Sequence, residues 1–206
     1  MSNNSMALRS RSRIFLAALF LTNVCHGASQ GPNSAGTGGN DAAVGTVAWS
    51  TTSNITNSDN SYATCSLSSG QTSNYLTATN FSFSIPGSAT ISDISVAMER
   101  SHSSAVVSIV DSSVRIIKGG TIGSYDASSG FTWNNSDAYQ SYTPGLWSES
   151  WTASDINSST FGAAFSATYS GGLGSTTLRG DHVRITVTYI DNGVIKQMWS
   201  ISEFFD

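Results

Sequence analysis

Five aromatic rings crowd one polar stretch of this 206-residue sequence: Trp133, Tyr139, Tyr142, Trp147 and Trp151 fall within 19 residues. Flat rings presented from a loop stack on sugar faces, and Asn134, Asn135 and Gln140 among them can hydrogen-bond hydroxyls. All five rings are therefore candidate ligand-binding residues. The competing reading gives them to packing, as a cover over one open end of the fold, with Trp147 and Trp151 anchoring the helix that follows. Acid–base chemistry has fewer candidates. Glu149 and Asp155 flank that helix start beside the two tryptophans, the minimum that cleavage of a glycosidic bond requires, but Asp155 also suits a helix cap. Asp181 and His182 are adjacent and suggest part of a Ser-His-Asp triad. Neighbours on a regular strand leave on opposite faces, so the pair reads as structural. Asp59 with Asn57 and Asn60 could hold calcium, yet the same residues make ordinary Asx turns, which is the preferred reading. The sequence contains no G-x-S-x-G elbow, phosphate-cradling glycine loop or H-E-x-x-H zinc helix. No catalytic residue, metal ligand or cofactor is assigned.

The elements that must carry these residues are strands. Phe81, Phe83 and Ile85 alternate with serine, and Ile94, Val96 and Met98 keep the same period of two. Phe161, Ala163, Phe165 and Ala167 repeat it, as do Val183, Ile185, Val187 and Tyr189. A strand sends successive side chains to opposite faces, so each run has one buried face and one wet face rich in Ser, Thr, Arg and Glu. Turn signals separate the runs: Ser58-Asp59-Asn60, Pro86-Gly87, Lys118-Gly119-Gly120 and the glycine cluster at 171–174. Strands are predicted near 44–50, 62–68, 75–85, 91–100, 105–110, 113–118, 161–169 and 182–190. Eight such strands imply an all-β fold, a two-sheet antiparallel β-sandwich that is jelly-roll-like, with an Ig-like arrangement as runner-up. One short helix is predicted near 152–158, capped by Thr152 with Asp155 three residues on.

Composition sets the context. Only 11% of residues are charged, whereas 40 Ser, 21 Thr and 14 Asn make up more than a third of the chain. That excludes a helical bundle, and nine Lys and Arg are too few for a nucleic-acid binder. Arg9, Arg11 and Arg13 precede the apolar run Ile14–Leu21, the layout of a secretory signal peptide over residues 1–27. Eight apolar residues are too few to span a bilayer, so the expected location is secreted or cell-surface, with no membrane insertion after cleavage. Cleavage would leave 6 basic against 13 acidic residues, a net charge of −7, and Cys65 without a partner; Cys65 reads as a small buried apolar residue. Residues 28–43, without a large apolar side chain, read as a flexible leader, 44–190 as the sandwich domain, and 191–206 as a C-terminal tail. In that tail Val194, Met198, Ile201 and Phe205 fall at helical spacing, either packing on the domain or docking elsewhere.

Several segments are familiar as an ordered set. They include Gly45-Thr46-Val47-Ala48-Trp49, Ser58-Asp59-Asn60 with Tyr62-Ala63-Thr64, Asn80-Phe81, Glu99-Arg100-Ser101, Ser150-Trp151-Thr152 with Asp155-Ile156-Asn157, and Asp181-His182-Val183-Arg184-Ile185. Over about residues 44–190 the chain resembles a recurrent, largely uncharacterised β-sandwich module of bacterial exported proteins and of phage tail- or virion-associated proteins. The resemblance implies a structural or adhesive role and transfers no catalytic residue. Three functions follow as expectations. The first is a non-catalytic surface or extracellular adhesion module binding glycan through the aromatic loop, or other surface proteins. The second is a self-associating structural subunit, and the third a carbohydrate-active hydrolase using Glu149 and Asp155.

Overall fold

In the computed structural model, which describes residues 26–192, the alternating runs become ten strands in two antiparallel sheets. The first sheet has the order β1 (His26–Ser34), β10 (Ser175–Asp191), β5 (Thr90–His102) and β8 (Ala138–Tyr142). The strand β3 (Ala63–Ser68) shares with β1 the edge of β10 that faces away from β5. The second sheet runs β2 (Thr37–Asp41), β4 (Tyr75–Thr79), β9 (Gly162–Gly171), β6 (Ser108–Lys118) and β7 (Thr121–Ile122). From β3 onward the orders are 3-10-5-8 and 4-9-6-7, and every connection except the β6–β7 hairpin crosses between sheets. That is jelly-roll connectivity, which decides against the Ig-like alternative.

The two inner faces make the core. Ile94, Val96 and Met98 of β5 and Val183, Ile185 and Val187 of β10 meet Val114 and Ile116 of β6 and Ala163, Phe165 and Ala167 of β9, all buried. Cys65 is buried in β3, and burial pushes its thiol up to about 12. The helix α1 (Ala153–Asn157) is where the capping pattern placed it: the Thr152 side chain accepts from the Asp155 backbone N–H, and the Asp155 carboxylate accepts from the Thr152 N–H. Ile156 seals its inner side. No helix among the described residues is long and apolar enough to cross a membrane.

Three expectations change. Residues 28–43, expected as a flexible leader, lie in β1 and β2, which pair with β10 and β4. Their glycines serve close backbone approach: a Cβ on Gly38 would fall 1.9 Å from the Thr52 carbonyl oxygen. The predicted strand at 44–50 makes only isolated bridges, Val47 to Ser73 and Ser50 to Thr64. Gly45 (φ 66°) turns the chain so close to Ser73 that a Cβ would sit 2.1 Å from its carbonyl oxygen. The run at 75–85 stops as a strand at Thr79 because Asn80 and Ser82 take positive φ. Phe81, Phe83 and Ile85 still point inward, and Gln30 and Asn33 of β1 tie this segment down through side-chain bonds to Ser84 and Phe81. The proposed signal peptide falls on residues before His26 except for its last two, and most of the proposed tail lies beyond Asn192; both fall outside the described residues.

Candidate ligand-binding site

The period that buries Ile94, Val96 and Met98 also turns Arg100 inward. Arg100 is buried and pairs with Asp111, which β6 presents from the opposite sheet. A charge pair inside a core is tolerated when its remaining polar atoms are satisfied. Asp111 meets that condition: the Trp133 indole N–H donates to one carboxylate oxygen at 2.8 Å and the Tyr142 hydroxyl to the other at 2.7 Å. The Arg100 guanidinium lies 4.7 Å from the Trp133 ring centre and 5.9 Å from that of Tyr142, a pair of cation–π contacts.

This cluster removes most of the expected stacking platform. Trp133 and Tyr142 are only 4% and 3% exposed because their polar tips are needed by Asp111. Trp147 is completely buried, its indole N–H donating to the Ile94 carbonyl at 2.9 Å. Trp151 is half-buried, edge-on to Phe161 at 5.4 Å, with the Lys118 ammonium 5.2 Å from its ring centre and its N–H on the Leu146 carbonyl. Trp133, Tyr142 and Trp147 are thus packing residues, whereas Trp151 and Tyr139 are both half-buried and keep part of their rings at the surface. Large rings with one polar atom satisfy both needs of a closed sandwich end, filling space and supplying a donor.

Tyr139 stands on the outer face of the first sheet. It is opposite Glu99 in the β5–β8 ladder, and Glu99 is opposite His182 in the β5–β10 ladder. The Tyr139 hydroxyl is 2.7 Å from His182 Nδ1, and His182 Nε2 is 2.9 Å from the Ser34 hydroxyl. A neutral imidazole with its proton on Nε2 satisfies both contacts. Burial, followed by the nearby Arg184, holds the His182 pKa below its ordinary value, which keeps the ring neutral. Burial raises the Tyr139 hydroxyl, and the charge of Glu99 adds to the effect. The Arg184 guanidinium sits 3.8 Å from the Tyr139 ring centre.

Asp181 and His182 do not work as a catalytic pair. A bulge between Gly180 and His182 leaves Asp181 without a partner on β5, and its carboxylate accepts from the backbone N–H groups of Asp59 and Asn60. Burial raises the Asp181 carboxyl against those two bonds, with Glu99 and Asp137 contributing in the same direction. The neighbouring turn residues are occupied as well. Asp59 accepts from the Ser61 N–H at 2.9 Å in an Asx turn, and Tyr62 donates to Asp137 at 2.6 Å, the bond that does most to push the phenol up to about 12. Asp155 is equally committed. Burial pushes its carboxyl up, but the bonds from Thr152 and the charge of Lys118, 3.7 Å away, outweigh this and hold it below the ordinary value. A glycosidase acid needs the opposite shift.

What remains open is a small polar pocket where β8 meets the segment 132–134. Arg100, Thr132, Asn134, Ala138, Tyr139 and Gln140 line about 30 Å³ of free space. That is room for one water or one hydroxyl group and not for a sugar ring. Arg100 Nη2 is buried and has no hydrogen-bond partner, a donor left over after Nη1 is taken by Asp111. Of these residues the aromatic-loop reading included Tyr139, Asn134 and Gln140 and missed Arg100 and Thr132. Arg100 had a signal, its even-numbered phase with Ile94, Val96 and Met98.

No family model matches the chain, and no curated protein matches it. Among solved structures the chain is similar to one described as "CBM4 structure and function", at 12% sequence identity and a TM-score of 0.33, over 74% of this chain and 92% of that one.

Proposed function

We propose that this protein is a non-catalytic, exported adhesion module that recognises a carbohydrate at the mouth of the Arg100–Gln140 pocket. The observation that carries the reading is the convergence of Thr132, Asn134, Gln140, Tyr139 and Arg100 on a space the size of one hydroxyl. Donors and acceptors set around a narrow polar recess suit a hydroxyl-bearing ligand, because a hydroxyl both donates and accepts. The sugar ring lies outside, against Tyr139, while one substituent enters. The secretory signal expected from residues 1–27 and the resemblance to exported β-sandwich modules expected from the sequence would suit such a role.

Affinity electrophoresis of the purified protein through gels containing different polysaccharides tests the reading. At least one polysaccharide retards the parent. Asn134→Ala and Gln140→Ala each weaken retardation about tenfold, the worth of one hydrogen bond in a desolvated site. Both side chains lie at the pocket rather than in the core, so the variants remain folded. A parent that no polysaccharide retards, or variants retarded like the parent, would remove the site.

A further inference from the structure

The loops at one end of the sandwich carry no charge. Three meet there: 69–74 between β3 and β4, 103–107 between β5 and β6, and 172–174 between β9 and β10. Residues 66–73, 103–108 and 169–178 contain no Asp, Glu, Lys or Arg, and most of them are Ser, Thr or Gly. Hydrogen bonds hold the loops side by side. The Ser103 N–H donates to the Thr177 carbonyl and the Thr177 N–H to the Ser103 hydroxyl, each at 3.0 Å, and the Ser170 hydroxyl donates to the Ser108 carbonyl at 3.1 Å. Gly172 packs so closely on the β5–β6 loop that a Cβ there would lie 3.3 Å from the Val106 carbonyl oxygen. The third loop joins through Gly70 and Gln71, whose backbones bond that of Tyr169 at 2.9 Å. From this collar two aliphatic side chains project. Val106 is 82% exposed and Leu173 93%, the two most exposed large apolar side chains among the described residues. The Leu173 carbonyl accepts from the Tyr169 hydroxyl at 3.1 Å, which fixes the tip that carries it.

Single exposed aliphatic residues are ordinary, whereas neighbouring ones on an uncharged tip mark a contact surface. We infer that this tip is a shallow membrane contact: Val106 and Leu173 enter the headgroup boundary of an electrically neutral lipid surface, with the hydroxyls of the collar against the headgroups. Two observations favour lipid over a protein partner. Two such side chains bury on the order of 200 Å², against about 800 Å² per partner in a specific protein complex, and the Ser and Gly flanks add little apolar area. A lipid surface needs no matched area, because each aliphatic group gains by leaving water wherever it enters. The second observation is charge. A tip without Lys or Arg, on a chain of net charge −4, offers nothing to anionic headgroups and meets no penalty at neutral ones. Such a contact lies on the membrane without spanning it, and it is independent of the Arg100 pocket.

Co-sedimentation of the purified protein with phosphatidylcholine vesicles tests the inference. The parent pellets with the vesicles, salt does not release it, and mixing in phosphatidylglycerol does not strengthen its binding. The double variant Val106→Ser with Leu173→Ser, altered only at exposed positions, unfolds in urea like the parent and binds at least tenfold more weakly. Leu173→Trp, which sets a ring suited to the membrane interface at the same point, binds more tightly than the parent. A parent that stays in the supernatant would overturn the inference, as would a double variant that pellets like the parent, since another segment would then make the contact. Binding that requires phosphatidylglycerol or is lost in salt would overturn it as well, because charge and not the two aliphatic groups would be responsible. Self-association of the parent that the double variant abolishes, without vesicle binding, would assign the tip to a protein partner instead.

Discussion

Arg100 and Asp111 show how much one pair of side chains can organise. A polar residue in phase with a buried run must either be paired or break the fold, and here the partner comes from the opposite sheet. Asp111 then recruits the indole of Trp133 and the phenol of Tyr142, so two rings that sequence spacing offered to a ligand are fixed inside. Asp111→Asn tests this directly. The substitution keeps the size but leaves a buried guanidinium without its counter-charge, and it should lower stability by about 3–5 kcal/mol in urea unfolding. A loss under about 1 kcal/mol would mean that the cluster fills space without holding the sheets. The five rings were legible as a group, but which of them faced water was not. That depended on Asp111, 22 residues before the first of them, whose burial no local pattern announces because a bulge at Asp111–Ser113 interrupts the alternation of β6.

Among the elements, β8, like β1 and β2, was hidden from the sequence, and it is the one that matters most for partners. Ala138–Tyr142 has no apolar alternation, and it is a strand because β5 offers it a ladder from Val96 to Arg100. It ends the first sheet, and among the described residues no strand pairs with its outer side. The other edges are better guarded. β1 carries Pro32 and a bulge and is tied to 81–85, β2 is held by Trp49 and Thr52, and the free side of β6 is covered by backbone bonds donated by residues 123, 127 and 133 and one accepted by the Phe131 carbonyl. If the protein self-associates through strands, β8 is the strand that does it. Ser141→Lys, which sets a charge on that exposed edge, should then return any oligomer to monomer in sedimentation analysis. An oligomer that persists in Ser141→Lys would place its interface elsewhere.

At the scale of the whole molecule, the domain is larger at its N-terminal side than composition suggested. β1 completes the outer edge of β10, and β2 does the same for β4, so a chain that starts at Val44 should expose both edges and loosen the covering over Phe81 and Phe83. It should unfold at markedly lower urea concentration than a chain starting at His26, or aggregate; equal midpoints would restore the leader reading. Sequence by itself determined the class of fold, the main strands and the capped helix. Period-two burial and the Thr152–Asp155 box are local consequences of backbone geometry, and they need no knowledge of neighbours. Only tertiary structure decided that Gly-rich residues 28–43 pair, that the connections cross as a jelly roll, and that three of the five rings are buried. Each of those outcomes depends on which distant segment supplies the missing backbone partner or the buried charge, and that information is distributed over the chain rather than carried by any one stretch of it.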